Sequence, residues 1–303
     1  MNCNLCPHEC NAMREQTSFG FCRSHWLPGI ASICIHKGEE PVISGEKGIV
    51  NVFFTHCNLQ CTYCQNRQIS NNKISDELSL ISIENAVDEI IKLLTPDISL
   101  IGFVSPSHHI DAMEKIVYGL HQKGFYPRVV YNSNGYDKIS TLKRIENIVD
   151  IYLPDYKYAD SDLGFELSKV IEYPLIALKA LKEMYRQKGS ALITDDNGYA
   201  ISGMIIRHLV LPGYLDNTMQ ILENIAWEIS TGVHLSLMSQ YNPQFYHGSN
   251  PNLLRKVSQE EYDSAIAFKE SLGIYKGWTQ ELVSNDFYNP DFTLDHPFES
   301  SST

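Results

Sequence analysis

Residues 48–64 read GIVNVFFTHCNLQCTYC and join an apolar run to a cluster of cysteines. Residues 48–54 are apolar and bounded by Gly and Thr, which is typical of a buried β-strand. Cys57, Cys61 and Cys64 follow in a CxxxCxxC pattern, so three thiolates share one tight loop directly after the strand. The stretch therefore predicts a sheet with a metal site at the end of one strand.

Beyond this loop, strand-like and helix-like runs alternate along the chain. The predicted strands are 48–54, 98–104, 127–131, 150–153, 203–211 and 234–238, and the predicted helices are 82–95, 109–124, 217–229 and 258–272, with 177–188 inside a further helical region. The last helix begins with a Ser258/Glu261 capping box. Such alternation predicts a parallel sheet covered by helices, either doubly wound or curled into a complete or partial barrel. In a barrel, chemistry is expected where the strands end.

Composition limits the function classes. At 303 residues and 43% hydrophobic, the chain can bury one large core and carry a small appended module. A formal charge of -12 and the lack of a basic run argue against nucleic acid as a partner. The first ten residues lack the apolar core of a secretory signal, and no stretch approaches the ~20 apolar residues of a membrane span. We therefore expect a soluble, cytoplasmic protein that does not enter membranes.

All eight cysteines lie within the first 64 residues, where cytosolic reductants would keep them available as ligands for soft metals. Three thiolates on the CxxxCxxC loop can hold three irons of a [4Fe-4S] cluster and leave the fourth iron open. The alternatives are a structural zinc site, completed for example by His56, and a redox pair of Cys61 and Cys64. The redox pair leaves Cys57 unexplained.

A second group of thiols lies nearer the start of the chain, at Cys3, Cys6, Cys10 and Cys22. Four cysteines suffice for one closed tetrahedral site, and both zinc and an auxiliary iron-sulfur cluster fit this pattern. We favour zinc. Cys34 lies alone in a strand-like stretch, where a buried and inert thiol is the ordinary explanation.

The CxxxCxxC motif, with aromatic Tyr63 before its last cysteine, resembles that of the radical S-adenosylmethionine superfamily. The resemblance implies that the amino and carboxylate groups of S-adenosylmethionine chelate the open iron of a [4Fe-4S] cluster. It also implies reductive cleavage to methionine and a 5'-deoxyadenosyl radical, which abstracts hydrogen from a substrate. The fold expected for such a chain is a partial TIM-like (β/α)6 barrel.

Other segments carry the resemblance further, namely CNLCPHEC, GEEPVISG, VSPSHH, VYNSNGY, VDIYLPDYKY, RHLVLPG and SLMSQYNP. With them the chain resembles the pyruvate formate-lyase activating enzyme-like proteins that have a cysteine-rich N-terminus. That branch implies a glycyl-radical enzyme as protein substrate, flavodoxin or ferredoxin as electron donor, and oxygen sensitivity. A small-molecule substrate, and a non-catalytic electron-transfer protein with two metal centres, remain the alternatives.

The same resemblance implies which residues bind the cofactor, in addition to Tyr63. They lie at strand ends: Ser105 and Ser107, Asn132, Ser133 and Asn134, Asp155 and Lys157, and His208. Ordinary structural roles are open for most of them, namely a helix start at Ser105–Ser107, a turn at Asn134, an ion pair at Asp155 and Lys157, and a hydrogen-bonded core histidine at His208. The sequence does not identify a catalytic residue.

We expect three parts: a cysteine-rich metal-binding segment at 1–40, the radical S-adenosylmethionine barrel at 41–275, and a polar tail at 276–303. The tail bears on the substrate. An activating enzyme for a protein substrate needs an open barrel mouth, whereas a small-molecule enzyme would close that mouth with its C-terminal segment.

Overall fold

A computed structural model describes residues 3–14, 20–75, 79–282, 289–294 and 296–298 of the chain. The apolar run after Gly48 forms strand β2 (Ile49–Phe54), and all its residues are buried. A strand that is covered on both faces is typical of a parallel sheet in an α/β protein.

The described strands form one sheet in the order β1, β2, β3, β4, β5, β7, β8, β9, with β6 paired to β7 at the side. The strands are β1 (Ile30–His36), β2 (Ile49–Phe54), β3 (Leu100–Val104), β4 (Arg128–Ser133), β5 (Ile151–Pro154), β6 (Ile193–Thr194), β7 (Ala200–Leu209), β8 (His234–Met238) and β9 (Gly277–Thr279). β1 is antiparallel to β2 and β6 to β7, and all other neighbours are parallel. The two outer strands of this order do not pair within the described residues, so the sheet is open.

Helices follow each of the strands β2, β3, β4, β5, β7 and β8. They are α1 (Pro41–Ser44), α2 (Arg67–Ser70), α3 (Ile83–Leu93), α4 (Ile110–Gln122), α5 (Ile139–Arg144), α6 (Ser161–Ser168), α7 (Tyr173–Lys188), α8 (Leu215–Glu228) and α9 (Gln259–Ser271), of which only α1 precedes β2. Across the described ranges, none of these helices combines the length and apolar character of a membrane span. Six β/α units confirm the predicted α/β fold, a partial TIM-like (β/α)6 barrel.

The six strands predicted from apolar runs coincide with β2, β3, β4, β5, β7 and β8. The capping box at the start of α9 is also confirmed, since Ser258 and Glu261 each accept a hydrogen bond from the other's backbone N–H. The sequence analysis did not place β6, β9, α1, α2, α5 or α6. These elements have two to eight residues, too few for a clear periodic signal.

The two faces of the sheet carry different cores. On the outer face, Val50 and Val52 belong to the core that also contains Ala86 and Ile90 of α3. The inner face contributes to a separate apolar cluster that contains Ile49, Leu100, Val130, Ile151 and Ile205. Because side chains alternate along a strand, the next inward positions on β2, β4 and β7 are Asn51, Asn132 and Arg207. The barrel interior therefore turns from apolar to polar toward the carboxyl ends of its strands.

The cysteine-rich head packs directly on the barrel. The Thr141 hydroxyl donates to the Leu5 carbonyl at 2.7 Å, and Lys138 Nζ lies 2.7 Å from Glu9 Oε1. The His8 ring stacks on Phe21 with 4.0 Å between ring centroids, and its Nε2 lies 2.8 Å from the Asn58 carbonyl oxygen. The head is thus held against the loop that carries Cys57.

The C-terminal segment, predicted as a polar tail from residue 276 onward, is also attached to the barrel. Strand β9 extends the sheet next to β8. Further along, the backbone N–H of Phe292 donates to Gln68 Oε1 at 2.8 Å. The rings of Phe292 and Phe298 lie 5.3 and 5.4 Å from that of Phe53 on β2.

Gly102 on β3 is the site of a close approach that keeps Asn51 in place. A Cβ at this position would lie 2.1 Å from Asn51 Oδ1. We expect Gly102→Ala to lower the free energy of unfolding by about 1–3 kcal/mol, because the new methyl group displaces the amide. Chemical denaturation of both proteins measures the difference. In an Asn51→Ala background the same change should cost far less, and an equal loss in both backgrounds would contradict the contact.

Candidate metal centre and cofactor cavity

The cysteine loop begins where β2 ends, and a single side chain fixes its first residue. Asn72 Oδ1 accepts from the backbone N–H of Cys57 at 3.0 Å, and its Nδ2 donates to the Cys57 carbonyl at 2.9 Å. The same Nδ2 donates to the Phe21 carbonyl of the head at 2.8 Å. His56 has φ +63° and its Nε2 lies 3.2 Å from the Ile74 carbonyl oxygen. These contacts hold the loop rigidly at the carboxyl end of the strand.

Each sulfur of the loop accepts a hydrogen bond from a residue outside the cysteine set. Cys57 Sγ accepts from the Leu59 backbone N–H and from Asn134 Nδ2, both at 3.3 Å. Cys61 Sγ accepts from the Ser168 hydroxyl at 3.0 Å, and Cys64 Sγ accepts from the Ser70 hydroxyl at 3.3 Å. Donors directed at sulfur stabilise thiolates and tune the clusters they bind. The three thiols therefore fit an iron-sulfur cluster chemically.

Burial opposes ionisation of these thiols when no metal is bound. It raises the pKa of Cys57 to about 12, with the neighbouring thiol of Cys61 adding to the effect. Burial also raises the pKa of Cys61, against the opposing charge of Lys157. A bound metal removes this conflict because it deprotonates its cysteine ligands.

Within the described ranges, no group of three or more His, Cys, Asp or Glu side chains is close enough to hold one metal ion, and this applies to the loop and to the head alike.

A cavity of about 410 Å³ opens beside the loop, and all three cysteines line it. This volume is typical of a site for a small organic molecule. Seven of the predicted cofactor-binding residues also line the cavity, namely Tyr63, Ser105, Asn132, Ser133, Asn134, Asp155 and Lys157. They come from the cysteine loop and from the ends of β3, β4 and β5.

Close packing brings these strand ends together. Ser105 has a left-handed backbone, with φ +52°, and its N–H donates to the Asn132 carbonyl at 2.8 Å. Gly135 has φ +79°, and a Cβ there would lie 2.2 Å from the Asp155 carbonyl oxygen. The turn after Asn134 therefore requires glycine, which allows the Asn134 amide to reach Cys57.

Asp155 and Lys157 form an ion pair at the cavity wall, with 2.6 Å between Oδ2 and Nζ. Burial acts to lower the pKa of Lys157, but the Asp155 carboxylate together with Tyr63, Cys61 and Tyr173 outweighs it and raises the pKa well above its usual value. The lysine is consequently cationic across the physiological range. The predicted pair exists, and it lies in the cavity rather than on an outer surface.

Two predicted residues do not line this cavity. Ser107 is buried, and its hydroxyl donates to Asp137 Oδ1 at 2.6 Å, so it holds the turn after β4. The His208 side chain is satisfied by the Tyr156 carbonyl at 2.7 Å and the Thr218 hydroxyl at 2.9 Å. Its position on β7 directs it to the outer face, because the adjacent Arg207 faces inward. Of the two neighbours Arg207 and His208, it is Arg207 that lines this cavity.

The sequence analysis missed three charged residues that line the cavity, Glu39, Glu40 and Arg207. Arg207 Nε donates to Glu40 Oε1 at 2.8 Å, and its Nη2 donates to Glu39 and to Glu40. Burial alone would raise the pKa of Glu39, but the charge and hydrogen bonds of Arg207, with His36 and Asn51, lower it to about 2. Two features of the sequence could have indicated them: an arginine within an apolar strand, and two adjacent glutamates in the segment GEEP. The arginine and the glutamates are 167 or more residues apart in sequence, so their pairing was not evident.

The head brings its four cysteines into one neighbourhood. Cys3, Cys6 and Cys22 are buried, and Cys10 is exposed. Burial raises the pKa of Cys6 to about 12, and the other three thiols act on it electrostatically. Arg14 Nη2 lies 3.9 Å from Cys22 Sγ. Cys34 is buried in β1, outside both groups.

Comparison with known proteins is consistent with an iron-sulfur site at the cysteine loop. Residues 43–164, which include the cysteine loop, match the family model of a 4Fe-4S single cluster domain. An uncharacterized protein of Methanocaldococcus jannaschii is 29% identical over 283 residues, covering 90% of this chain and 75% of its own length.

Two solved structures share the fold at low identity. The FeFe-hydrogenase maturase HydG of Carboxydothermus hydrogenoformans has a TM-score of 0.50 at 16% identity, covering 76% of this chain and 52% of HydG. Streptococcus suis SuiB, bound to precursor peptide SuiA, has a TM-score of 0.50 at 12% identity, covering 75% of this chain and 47% of SuiB. This chain thus spans about half the length of those two proteins.

The fold is thus that of the barrel shared with HydG and SuiB. The CxxxCxxC loop lies inside the part of the chain that matches the 4Fe-4S single cluster domain model.

Proposed function

We propose that the chain is an enzyme that cleaves S-adenosylmethionine reductively at a [4Fe-4S] cluster bound by Cys57, Cys61 and Cys64. One observation carries this proposal: three hydrogen-bonded thiols line the same cavity as Tyr63 and six strand-end residues expected to bind the cofactor. A reduced cluster supplies the electron that splits S-adenosylmethionine into methionine and a 5'-deoxyadenosyl radical.

The chain's own residues bind and orient the cofactor. Asn134 donates to Cys57 and lies in the same wall as Ser105 and Asn132, whose polar groups suit the amino acid and ribose parts of S-adenosylmethionine. Lys157, held by Asp155, places a fixed positive charge beside Cys61, and Tyr63 is fixed by a 2.7 Å contact with the Tyr158 hydroxyl. Such fixed polar groups position reactants and exclude water from a radical reaction.

The reducing chemistry requires an environment with free thiols and a low-potential donor. All eight cysteines are free. We propose a cytoplasmic location, anaerobic conditions, and flavodoxin or ferredoxin as the electron donor.

For the substrate, the resemblance to activating enzymes points to a glycyl-radical enzyme, whose peptide loop would have to enter the barrel. The C-terminal segment favours a small molecule instead, because Phe298, Trp278 and Gln280 line the cavity. Phe292 and Asp291 fix that segment through Gln68. We therefore propose radical chemistry on a small molecule, with glycyl-radical activation as the second candidate.

For the head, we propose a structural metal bound by Cys3, Cys6, Cys10 and Cys22, zinc in preference to an auxiliary cluster. The four sulfurs must draw closer than they lie in the described structure, so metal binding would order the segment further. We also propose the division into this head, a barrel to residue 275, and a C-terminal segment.

Anaerobic reconstitution with iron and sulfide, followed by reduction with S-adenosylmethionine present, tests the main proposal. We expect 5'-deoxyadenosine and methionine in equal amounts, measured by chromatography and mass spectrometry. Cys57→Ala should lose both the cluster absorption and the products, whereas Cys34→Ala, a matched buried cysteine, should keep them. If fully loaded wild-type protein forms neither product, a non-catalytic metal protein becomes the better description.

The substrate class can be tested by size. We expect a low-molecular-mass ultrafiltrate of anaerobic cell extract to raise 5'-deoxyadenosine formation above the level without substrate. The retained protein fraction should not do so. Stimulation by the protein fraction alone, with a glycyl radical in its electron paramagnetic resonance spectrum, would favour the activating-enzyme function instead.

Metal analysis separates the two cysteine groups. We expect Cys3→Ala to lose zinc and keep the iron of the loop, because its ligand set is distinct from Cys57, Cys61 and Cys64. Cys57→Ala should lose iron and keep zinc. Loss of iron from both variants would instead indicate a second iron-sulfur cluster in the head.

A further inference from the structure

The cavity wall includes a charged cluster of Glu39, Glu40 and Arg207, here called the polar floor. Asn51 Nδ2 of β2 donates to Glu39 Oε1 at 2.7 Å, and Arg207 lies near the carboxyl end of β7. Cys57 lines the same cavity. The cavity therefore extends from the metal ligands to this cluster in the barrel interior, and a substrate that enters the interior meets the polar floor.

Arg207 spans the floor and is held in one orientation. Its Nε and Nη2 donate to the two carboxylate oxygens of Glu40 at 2.8 and 2.5 Å, and Nη2 also donates to Glu39. Glu39 is held in turn by Asn51 Nδ2 at 2.7 Å. A bidentate pair of this kind fixes the plane of the guanidinium group. Glu39 and Glu40 are thus positioning residues for Arg207.

One end of the guanidinium group is available to a ligand. Arg207 Nη1 has no hydrogen-bond partner among the described residues, although Nε and Nη2 are both used. Because Arg207 lines the cavity, these remaining N–H groups can be satisfied by a molecule inside it. Two N–H donors on a fixed plane select an oxygen acceptor.

The charge of the floor restricts the acceptor. Two carboxylates and one guanidinium leave a formal charge of −1 on the cluster of Glu39, Glu40 and Arg207. Asp155 and Lys157 neutralise each other further along the cavity. A strongly anionic ligand, such as a phosphate ester, would meet uncompensated repulsion in a poorly solvated site. A neutral or cationic molecule with a carbonyl-type oxygen meets a donor and a favourable field.

His36 gives an independent indication of a ligand. It lines the cavity and is 8% exposed, and its Nδ1 is buried without a hydrogen-bond partner among the described residues. Its ring packs on Phe298, with 4.1 Å between centroids, and edge-on to Phe53. A buried nitrogen without a partner is unfavourable unless a ligand or water satisfies it. Phe298 also lines the cavity, and its ring limits the size of that ligand.

We propose that the substrate is a small neutral or cationic molecule whose carbonyl-type oxygen accepts hydrogen bonds from Arg207 Nη1, with a polar group within reach of His36 Nδ1. This inference rests on the proposed radical function, since it names the substrate class of that cavity. It assigns Arg207 and His36 to substrate binding and Glu39 and Glu40 to the orientation of Arg207.

Binding can be measured without turnover, by ligand-observed NMR on the reconstituted, unreduced protein with S-adenosylmethionine. The probes are glycinamide (cationic), acetamide (neutral), acetate (monoanionic) and methyl phosphate (largely dianionic). We expect glycinamide and acetamide to bind at least about tenfold more tightly than methyl phosphate, with acetate between them. Arg207→Lys, which keeps the charge but loses the planar donors, should weaken glycinamide binding by about tenfold.

Arg255→Lys is the matched control, because Arg255 also pairs bidentately with a glutamate, Glu261, but on the surface. It should bind all four probes as the wild type does. If Arg207→Lys does not fold, His36→Phe serves in its place, since it keeps the ring on Phe298 and removes the nitrogen. It should weaken glycinamide binding severalfold.

Preferred binding of methyl phosphate, or no binding of any probe to the wild type, would overturn the proposal. Unchanged glycinamide affinity in the folded Arg207→Lys and His36→Phe proteins would do the same. These outcomes are independent of product formation. A protein that forms 5'-deoxyadenosine but fails these binding tests keeps the radical function and loses this substrate class. A protein that passes the binding tests but forms no 5'-deoxyadenosine keeps the binding preference and loses the radical function.

Discussion

The register of the parallel pairing between β2 and β3 determines which side chains of β2 face the barrel interior and where the cysteine loop begins. Asn51 lies opposite Gly102 in this register, and Phe53 lies opposite Val104. A slip by one residue would turn Asn51 and Phe53 away from the barrel interior and bring in Val50 and Val52, so the polar floor would lose a contact. Because the cysteine loop continues directly from this strand, the register also fixes where Cys57 emerges. Fold and site therefore share one constraint.

Much of the fold was predictable from local patterns. Each parallel strand is a nearly continuous apolar run, and amphipathic helices separate them, so six strands and the main helices were placed correctly. What the sequence did not provide was long-range pairing. β9 has three residues, and its membership of the sheet depends on contact with β8 about forty residues earlier. Such short strands are defined by their partners rather than by their own periodicity.

The functional site, like the fold, was predictable from the sequence only in part. A motif with fixed spacing identified Cys57, Cys61 and Cys64 as a set, and the rule that chemistry lies at strand ends located six further residues of the cavity wall. The rule does not specify which side chain of a strand points inward. On β7 that phase is decided by the ion pairs between Arg207 and Glu39 and Glu40, which join residues far apart in sequence. Buried charges find their partners across the fold, so local sequence cannot reveal them.

Asn72 connects the two cysteine groups through hydrogen bonds. A single amide group donates both to the Phe21 carbonyl of the head and to the Cys57 carbonyl of the loop, while its oxygen accepts from the Cys57 N–H. Order in the head and order in the loop are consequently linked equilibria, and linkage is reciprocal. Whatever stabilises one of these segments therefore lowers the cost of organising the other.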